Sequence, residues 1–220
     1  RRCNKRIKEY CGLFGIFGHK DASRIAYLGL YALQHRGEES CGIVASDGSD
    51  MQVHRGMGLV ADVFNEDNLS PLKGSLAIGH VRYSTTGSSV LKNAQPLLMN
   101  YFKDSIAIAH NGNLVNSASL RHNLERSGAI FQTTCDSEII VHLLAHAKEN
   151  TLIAKLVSSL KKVKGAYSLL LSTKNQLIGI RDPHGFRPLC LGKLGNAWCL
   201  ASESCAFDLI AAQLVRGLKP

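Results

Sequence analysis

The sequence predicts an α+β protein in which helices pack on antiparallel sheets. Three observations predict it. Short apolar runs of strand length recur at both ends of the chain, helix-periodic segments cluster at the start and in the middle, and the resulting order is strands, helix, strands, helices, strands. The chain has 220 residues, 45% of them hydrophobic and 20% charged, which is enough for one large domain with a real core.

Residues 12–18 (GLFGIFG) form a short apolar run that reads as a buried strand. Over 22–35 the apolar residues Ile25, Leu28 and Ala32, with Ala26, Leu30 and Leu33, fall at helical spacing. Asp21 is a candidate N-cap there and Gly37 a candidate terminator. Residues 41–46, 51–55 and 75–81 read as strands, and 105–110 alternates in strand fashion. Three helices are expected next: 117–127, 137–148 opened by Asp136, and 152–163 capped by Thr151. Residues 166–172, 176–181, 188–192 and 197–202 return to strands.

Charge excludes some functions. The net charge is +9, but residues 1–10 (RRCNKRIKEY) carry +4 of it, leaving +5 for the remainder. No basic cluster is interleaved with stacking aromatics, so a nucleic-acid partner is not expected. No apolar run approaches the roughly 20 residues that span a bilayer, and residues 1–17 lack a secretory pattern. The seven Cys are odd in number and contain no CxxC pair, which argues against a disulfide framework or a zinc knuckle. His142 and His146 are four apart without the Glu of a metalloprotease motif, and no metal site is expected. Residues 1–10 are polar and charged, unlike the apolar run 12–18, and they read as a removable basic leader, with one continuous domain over 11–220.

That boundary gives Cys11 its interest. At a chain start its α-amine, of pKa about 7.7–8.0, would lie beside a thiol of about 8.5 and could act as its base. Inside a chain the amide nitrogen cannot, and Cys11 is then a buried structural thiol. Asn111-Gly112 after an apolar strand reads as a tight turn, which could also offer the Gly112 amide and the Asn111 side chain as donors to an oxyanion. Arg82 enters a Ser/Thr/Gly-rich loop, where it could grip a carboxylate through two parallel hydrogen bonds or lie on the surface. Asp136 suits either helix capping or a substrate ammonium. Arg36 ends the first helix, where a basic side chain is favourable in any case.

Taken together and in order, CGLFGIFG, QHRGEESCGI, GHVRYSTTG, NAQPLL, HNGNLVN, CDSE and RDPHGFRPL resemble the class II, N-terminal-nucleophile glutamine amidotransferases, and within them the amidophosphoribosyltransferase branch. The resemblance covers essentially residues 11–220 and implies a four-layer αββα sandwich of two antiparallel sheets. It implies that Cys11 is the nucleophile, exposed by cleavage after Tyr10, and that Asn111 and Gly112 form the oxyanion hole. Arg82 would bind the glutamine α-carboxylate, Asp136 its α-amine, and Arg36 would position the nucleophile loop. The ammonia would feed 5-phosphoribosylamine synthesis from phosphoribosyl pyrophosphate, in purine biosynthesis.

No acidic pair followed by a Thr/Gly-rich phosphate loop occurs, so the phosphoribosyltransferase domain, the expected partner, should lie outside this chain. The resemblance implies no cofactor here. Mg and the iron–sulfur cluster of some family members would have ligands outside this segment. A homo-oligomer is expected, in the cytoplasm, or in a plastid if residues 1–10 end a transit sequence. Three rivals predict otherwise. Another class II amidotransferase would use a different acceptor, a silent fold mate would keep Cys11 internal, and a peptidase would have no use for Arg82 and Asp136 together.

Overall fold

A computed structural model describes residues 10–83, 89–102 and 104–220. The chain runs through β1 (Gly12–Phe17), α1 (Ala22–Ala32), a 3-10 turn (Gln34–Arg36), β2 (Ser40–Ser46), β3 (Met51–Met57), α2 (Val60–Val63), α3 (Glu66–Leu69) and β4 (Leu76–Arg82). After a second 3-10 turn (Leu91–Asn93) come β5 (Leu97–Tyr101), β6 (Asp104–Leu114), α4 (Ser117–Arg126), α5 (Ser137–His146) and α6 (Leu152–Leu160). The chain closes with β7 (Gly165–Ser172), β8 (Leu177–Arg181), β9 (Cys190–Leu194), β10 (Ala197–Ala201), α7 (Cys205–Asp208) and β11 (Gln213–Gly217).

The strands form two sheets of antiparallel neighbours, ordered β11-β9-β10-β1-β4-β2-β3 and β5-β6-β7-β8. Strand periodicity sorts the side chains into layers. Phe14, Ile16, Cys41, Ile43, Ala77 and Val81 face outward and bury α1 through Ala26, Leu30 and Leu33. Ile106, Ile108, Tyr167, Leu169 and Leu171 face the other way, under α5 and α6, against Ile139, Ile140, Leu144 and Leu156. The alternate residues Leu13, Val44, Ile78, Ala107, Ala109 and Leu170 fill the space between the sheets. The result is the four-layer αββα sandwich that the resemblance implied.

Two strands lie outside the sequence expectation. β5 follows Pro96, and β11 is an edge strand exposed at every residue, so neither carries a clear alternation. Helix ends also differ: α1 stops at Ala32 and tightens into the 3-10 turn, and α5 ends at His146 rather than at residue 148. Thr151 caps α6 as expected, accepting from the Ala154 amide at 3.2 Å.

One local reading is overturned. Asn111-Gly112 is not a tight turn, because β6 runs through it to Leu114, paired with β7 as far as Leu114 opposite Gly165. Gly112 takes φ +148°, and a Cβ there would meet the Ala166 carbonyl oxygen at 2.1 Å. Its near-opposite Gly165 has the same φ and the same crowding, against the Asn113 carbonyl at 2.2 Å. The glycines let two backbones approach closely within a ladder, a pairing that the sequence around residues 111–112 does not announce.

Candidate active site

Residue parity brings the candidate groups to one end of the sandwich. On β4, Arg82 shares its face with Ile78 and His80. On β6, Asn111 shares its face with Ala107 and Ala109. Arg82 and Asn111 therefore face the space between the sheets. Cys11 immediately precedes β1. Gly12 pairs with Val81 across β1 and β4, so the start of β1 meets the end of β4. His80 ties the two sheets together there, its Nε2 lying 3.0 Å from the His110 carbonyl oxygen.

Cys11 is held in the left-handed region at φ 65°, a conformation that costs a non-glycine residue about 1–2 kcal/mol. Arg36 holds it from both sides. The Cys11 N–H donates to the Arg36 carbonyl at 2.9 Å, and Arg36 Nε donates to the Cys11 carbonyl at 2.6 Å. Glu203 pairs with the Arg36 guanidinium, whose side chain is almost wholly buried. The Cys11 Sγ lies 3.5 Å from the Tyr83 carbonyl oxygen. Burial pushes the thiol above its ordinary value, and the positive charges of Arg82, Arg36 and Arg187 offset only part of that. A resident thiolate is therefore not favoured, and attack by this sulfur needs a base.

Arg82 is 3% exposed and donates to Glu39 at 2.7 Å. Its positive charge opposes the burial that pushes up the thiols of both Cys11 and Cys135. The loop after it, residues 84–88 of RYSTTG, lies outside the described residues, as do residues 1–9 of the leader. Tyr10 stacks on Tyr83 with ring centroids 4.6 Å apart.

Asp136 stands at the start of α5, yet its side chain caps nothing. One carboxylate oxygen accepts from the Leu114 amide at 3.0 Å, and the other lies 3.3 Å from His110 Nδ1. The capping reading is thereby corrected: β6 claims the carboxylate before the helix can. Burial pushes the Asp136 carboxyl up, but His110 and the Leu114 amide outweigh it and hold the group below the usual carboxylate range. Glu138, fully buried, secures the preceding loop by accepting from the Gln132 and Thr133 amides.

The donors on β6 can be assigned one by one. Amides alternate in direction along an antiparallel strand. Val115 N–H goes to the Lys164 carbonyl on the β7 side, so the amides of residues 111, 113 and 115 face β7. Those of 110, 112 and 114 face away. His110 N–H is taken by Gln95 Oε1 at 2.8 Å, and Leu114 N–H by Asp136. Between them the Gly112 N–H points past the end of β5, whose ladder with β6 stops at Leu97 opposite Ile108. Beside it Asn111 is 0% exposed, and neither heteroatom of its amide has a hydrogen-bond partner among the described residues. A fully buried side-chain amide and a half-buried backbone N–H thus stand side by side near the end of β6.

Sequence reasoning missed several groups that hold this arrangement. Glu39 and Glu203 anchor Arg82 and Arg36 from 43 and 167 residues away. His110 orders Asp136. Arg187 reads in the sequence only as part of a turn. That turn is built on Asp182, fully buried, which accepts from the amides of His184, Phe186 and Arg187.

The chain is similar to known proteins. Residues 80–208 match the family model described as a glutamine amidotransferase domain. The chain is 47% identical over 98% of its length to the amidophosphoribosyltransferase of Bacillus subtilis (strain 168), of which it covers 46%. It is 48% identical over 99% of its length to the chloroplastic amidophosphoribosyltransferase 2 of Arabidopsis thaliana, of which it covers 39%. Among solved structures, the glutamine phosphoribosylpyrophosphate amidotransferase of B. subtilis, complexed with ADP and GMP, superposes with a TM-score of 0.91. That match has 47% identity and covers 96% of this chain and 46% of the other. The chain therefore spans under half the length of these relatives. No helix among the described residues is long and apolar enough to cross a membrane.

Proposed function

The chain belongs to the glutamine amidotransferase domain family, and from that membership we propose that it is the glutamine-hydrolysing part of an amidophosphoribosyltransferase. Cleavage after Tyr10 frees the α-amine of Cys11. The amine takes the thiol proton, the sulfur attacks the glutamine side-chain amide, and Asn111 Nδ2 and the Gly112 N–H receive the charge that builds on oxygen. The proton passes to the leaving nitrogen, ammonia departs, and water hydrolyses the γ-glutamyl thioester to glutamate. Arg82 binds the substrate α-carboxylate, Asp136 its α-ammonium, and Arg36 keeps the Cys11 backbone in place. The observation that carries this reading is the fully buried Asn111 amide, whose heteroatoms have no partner among the described residues, beside a Gly112 N–H turned away from β7.

The ammonia serves 5-phosphoribosylamine synthesis from phosphoribosyl pyrophosphate on a C-terminal phosphoribosyltransferase domain, within a homo-oligomer. We place the protein in the cytoplasm, or in a plastid where residues 1–10 end a transit sequence. Mg and any iron–sulfur cluster of the whole protein take ligands from outside residues 11–220. In keeping with this, burial pushes the thiols of Cys41 and Cys199 up to about 12 and that of Cys135 to about 11, which suits inert packed cysteines.

Intact mass before and after treatment with a glutamine-analogue diazoketone tests the mechanism. Loss of residues 1–10 and a single adduct on Cys11, absent from C11A, are expected. Ammonia production from a sample whose residues 1–10 are intact would refute it.

A further inference from the structure

We propose that His35, Glu203 and Cys205 form a binding site for a zinc-class divalent cation on the outer side of Arg36. Their donor atoms all lie within 4.8 Å of one another. His35 Nε2 is 3.2 Å and Cys205 Sγ 3.7 Å from the same oxygen, Glu203 Oε2. Around a tetrahedral ion with bonds of about 2.0–2.3 Å, adjacent donors sit roughly 3.3–3.7 Å apart. Two sides of the triangle are thus already formed, and the third needs only a small side-chain adjustment.

The surroundings suit a metal ligand set. His35 Nδ1 lies 3.2 Å from the Ala32 carbonyl oxygen, which fixes the tautomer with a proton on Nδ1. Nε2 then faces the Glu203 carboxylate, an arrangement that calls for a cation, either a proton or a metal ion, between them. Arg36 occupies the other carboxylate oxygen, so Oε2 is the one left to coordinate. The His35 and Glu203 side chains are 55% and 36% exposed, which gives an ion a way in. A neutral imidazole, a carboxylate and a thiolate carry −2 in total and match a divalent ion. The mix of nitrogen, oxygen and sulfur favours zinc, with cobalt as its spectroscopic substitute. Binding replaces the Cys205 S–H bond by a metal–sulfur bond and releases that proton to solvent. Motif spacing carries no hint of the site, because His35 and Glu203 are 168 residues apart.

The site shares Glu203 with the arginine that grips Cys11. A cation on Oε2 draws charge from the Arg36 pair and loosens the hold on the nucleophile. This consequence rests on the glutaminase reading, whereas binding itself does not.

Titration of the chain with cobalt(II), followed by the near-ultraviolet thiolate-to-cobalt charge-transfer band, tests the site. One ion per chain is expected, with the band lost in C205S and retained in C11A. Equilibrium dialysis with zinc should show H35A binding weaker by more than about tenfold, since removing even an outer-shell partner costs that much. Circular dichroism checks that each variant is folded. No band, a band unchanged in C205S, or one lost in C11A overturns the proposal. Zinc should also lower glutamine turnover in the parent and not in C205S; equal inhibition in both would sever the link to Arg36. If the glutaminase reading fails, there is no turnover to inhibit, yet the cobalt band remains.

Discussion

Replacing Asn111 by Ala separates catalysis from stability. The Asn111 amide is fully buried, and both its heteroatoms lack a partner among the described residues. A buried polar group left unsatisfied costs about 1–3 kcal/mol, and N111A removes that cost. Deleting the few buried side-chain atoms costs roughly 0.5–1.5 kcal/mol in lost packing, by analogy with Ile→Val changes. The balance runs from a net loss of about 0.5 to a net gain of about 2.5 kcal/mol. At this chain length 1 kcal/mol moves Tm by about 2–4 °C, so the variant should melt between a degree or so below the parent and several degrees above it. Loss of one oxyanion donor should lower kcat by about 10²–10³, equivalent to some 2.7–4 kcal/mol of barrier. A coupled glutamate-release assay reads the rate, and calorimetry reads Tm. If N111A melts many degrees lower while keeping kcat within about threefold of the parent, Asn111 is a packing residue and donates to no oxyanion.

Other substitutions probe the supports. R36A strips the Cys11 carbonyl of its donor and takes the arginine from Glu203; a loss of about 2–4 kcal/mol in urea unfolding is expected, tempered by the partial exposure of Glu203, together with a fall in kcat. G112A forces a Cβ to within 2.1 Å of the Ala166 carbonyl oxygen, so β6 and β7 must separate; a Tm lower by several degrees is expected, and a parent-like Tm would show that the ladder yields easily. Acid should act through His80, whose buried ring is held near pKa 3, chiefly by burial. The unfolded chain takes up this proton below about pH 6.5 and the folded chain does not until near 3, so stability falls as pH drops through that window, by up to about 1.4 kcal/mol per unit. Urea unfolding across pH should show the slope reduced in H80Q. Asp136 acts in the same direction at lower pH: its depressed carboxyl stabilises the fold above the unfolded value and that contribution is lost as pH falls through the folded one.

What could be read from the sequence divides along the range of the interactions involved. Strand and helix identity follows from alternation and 3.6-residue spacing, which are local, and the layers follow because parity assigns each strand residue to the helix side or the sheet side. Phe14 and Leu13 are neighbours in sequence and lie in different cores for that reason alone. The candidate site was legible as residue types in a particular order, but not as geometry. Local chemistry misread Asn111-Gly112, because the turn propensity of Asn-Gly loses to eight consecutive cross-strand pairs with β7. It misread Asp136 too, because an N-cap position says nothing of a histidine on the strand beneath the helix.

The acids at the site were invisible for a related reason. Arg36 and Arg82 each carry a buried positive charge, and a buried charge requires a paired acid. Nothing in the local sequence says which acid. Glu39 reaches Arg82 because residue 40 is paired with residue 82 across β2 and β4, a fact of register. Glu203 reaches Arg36 because β10 lies beside β1 and delivers the residues after it to the base of the Cys11 loop. Each acid thus fixes an arginine through its guanidinium. The paired carboxylate offsets the cost of burying each arginine. Conservative loss of either acid, as in E39Q, should accordingly weaken substrate handling, and a variant with unchanged KM and kcat would show that Arg82 keeps its place by packing alone.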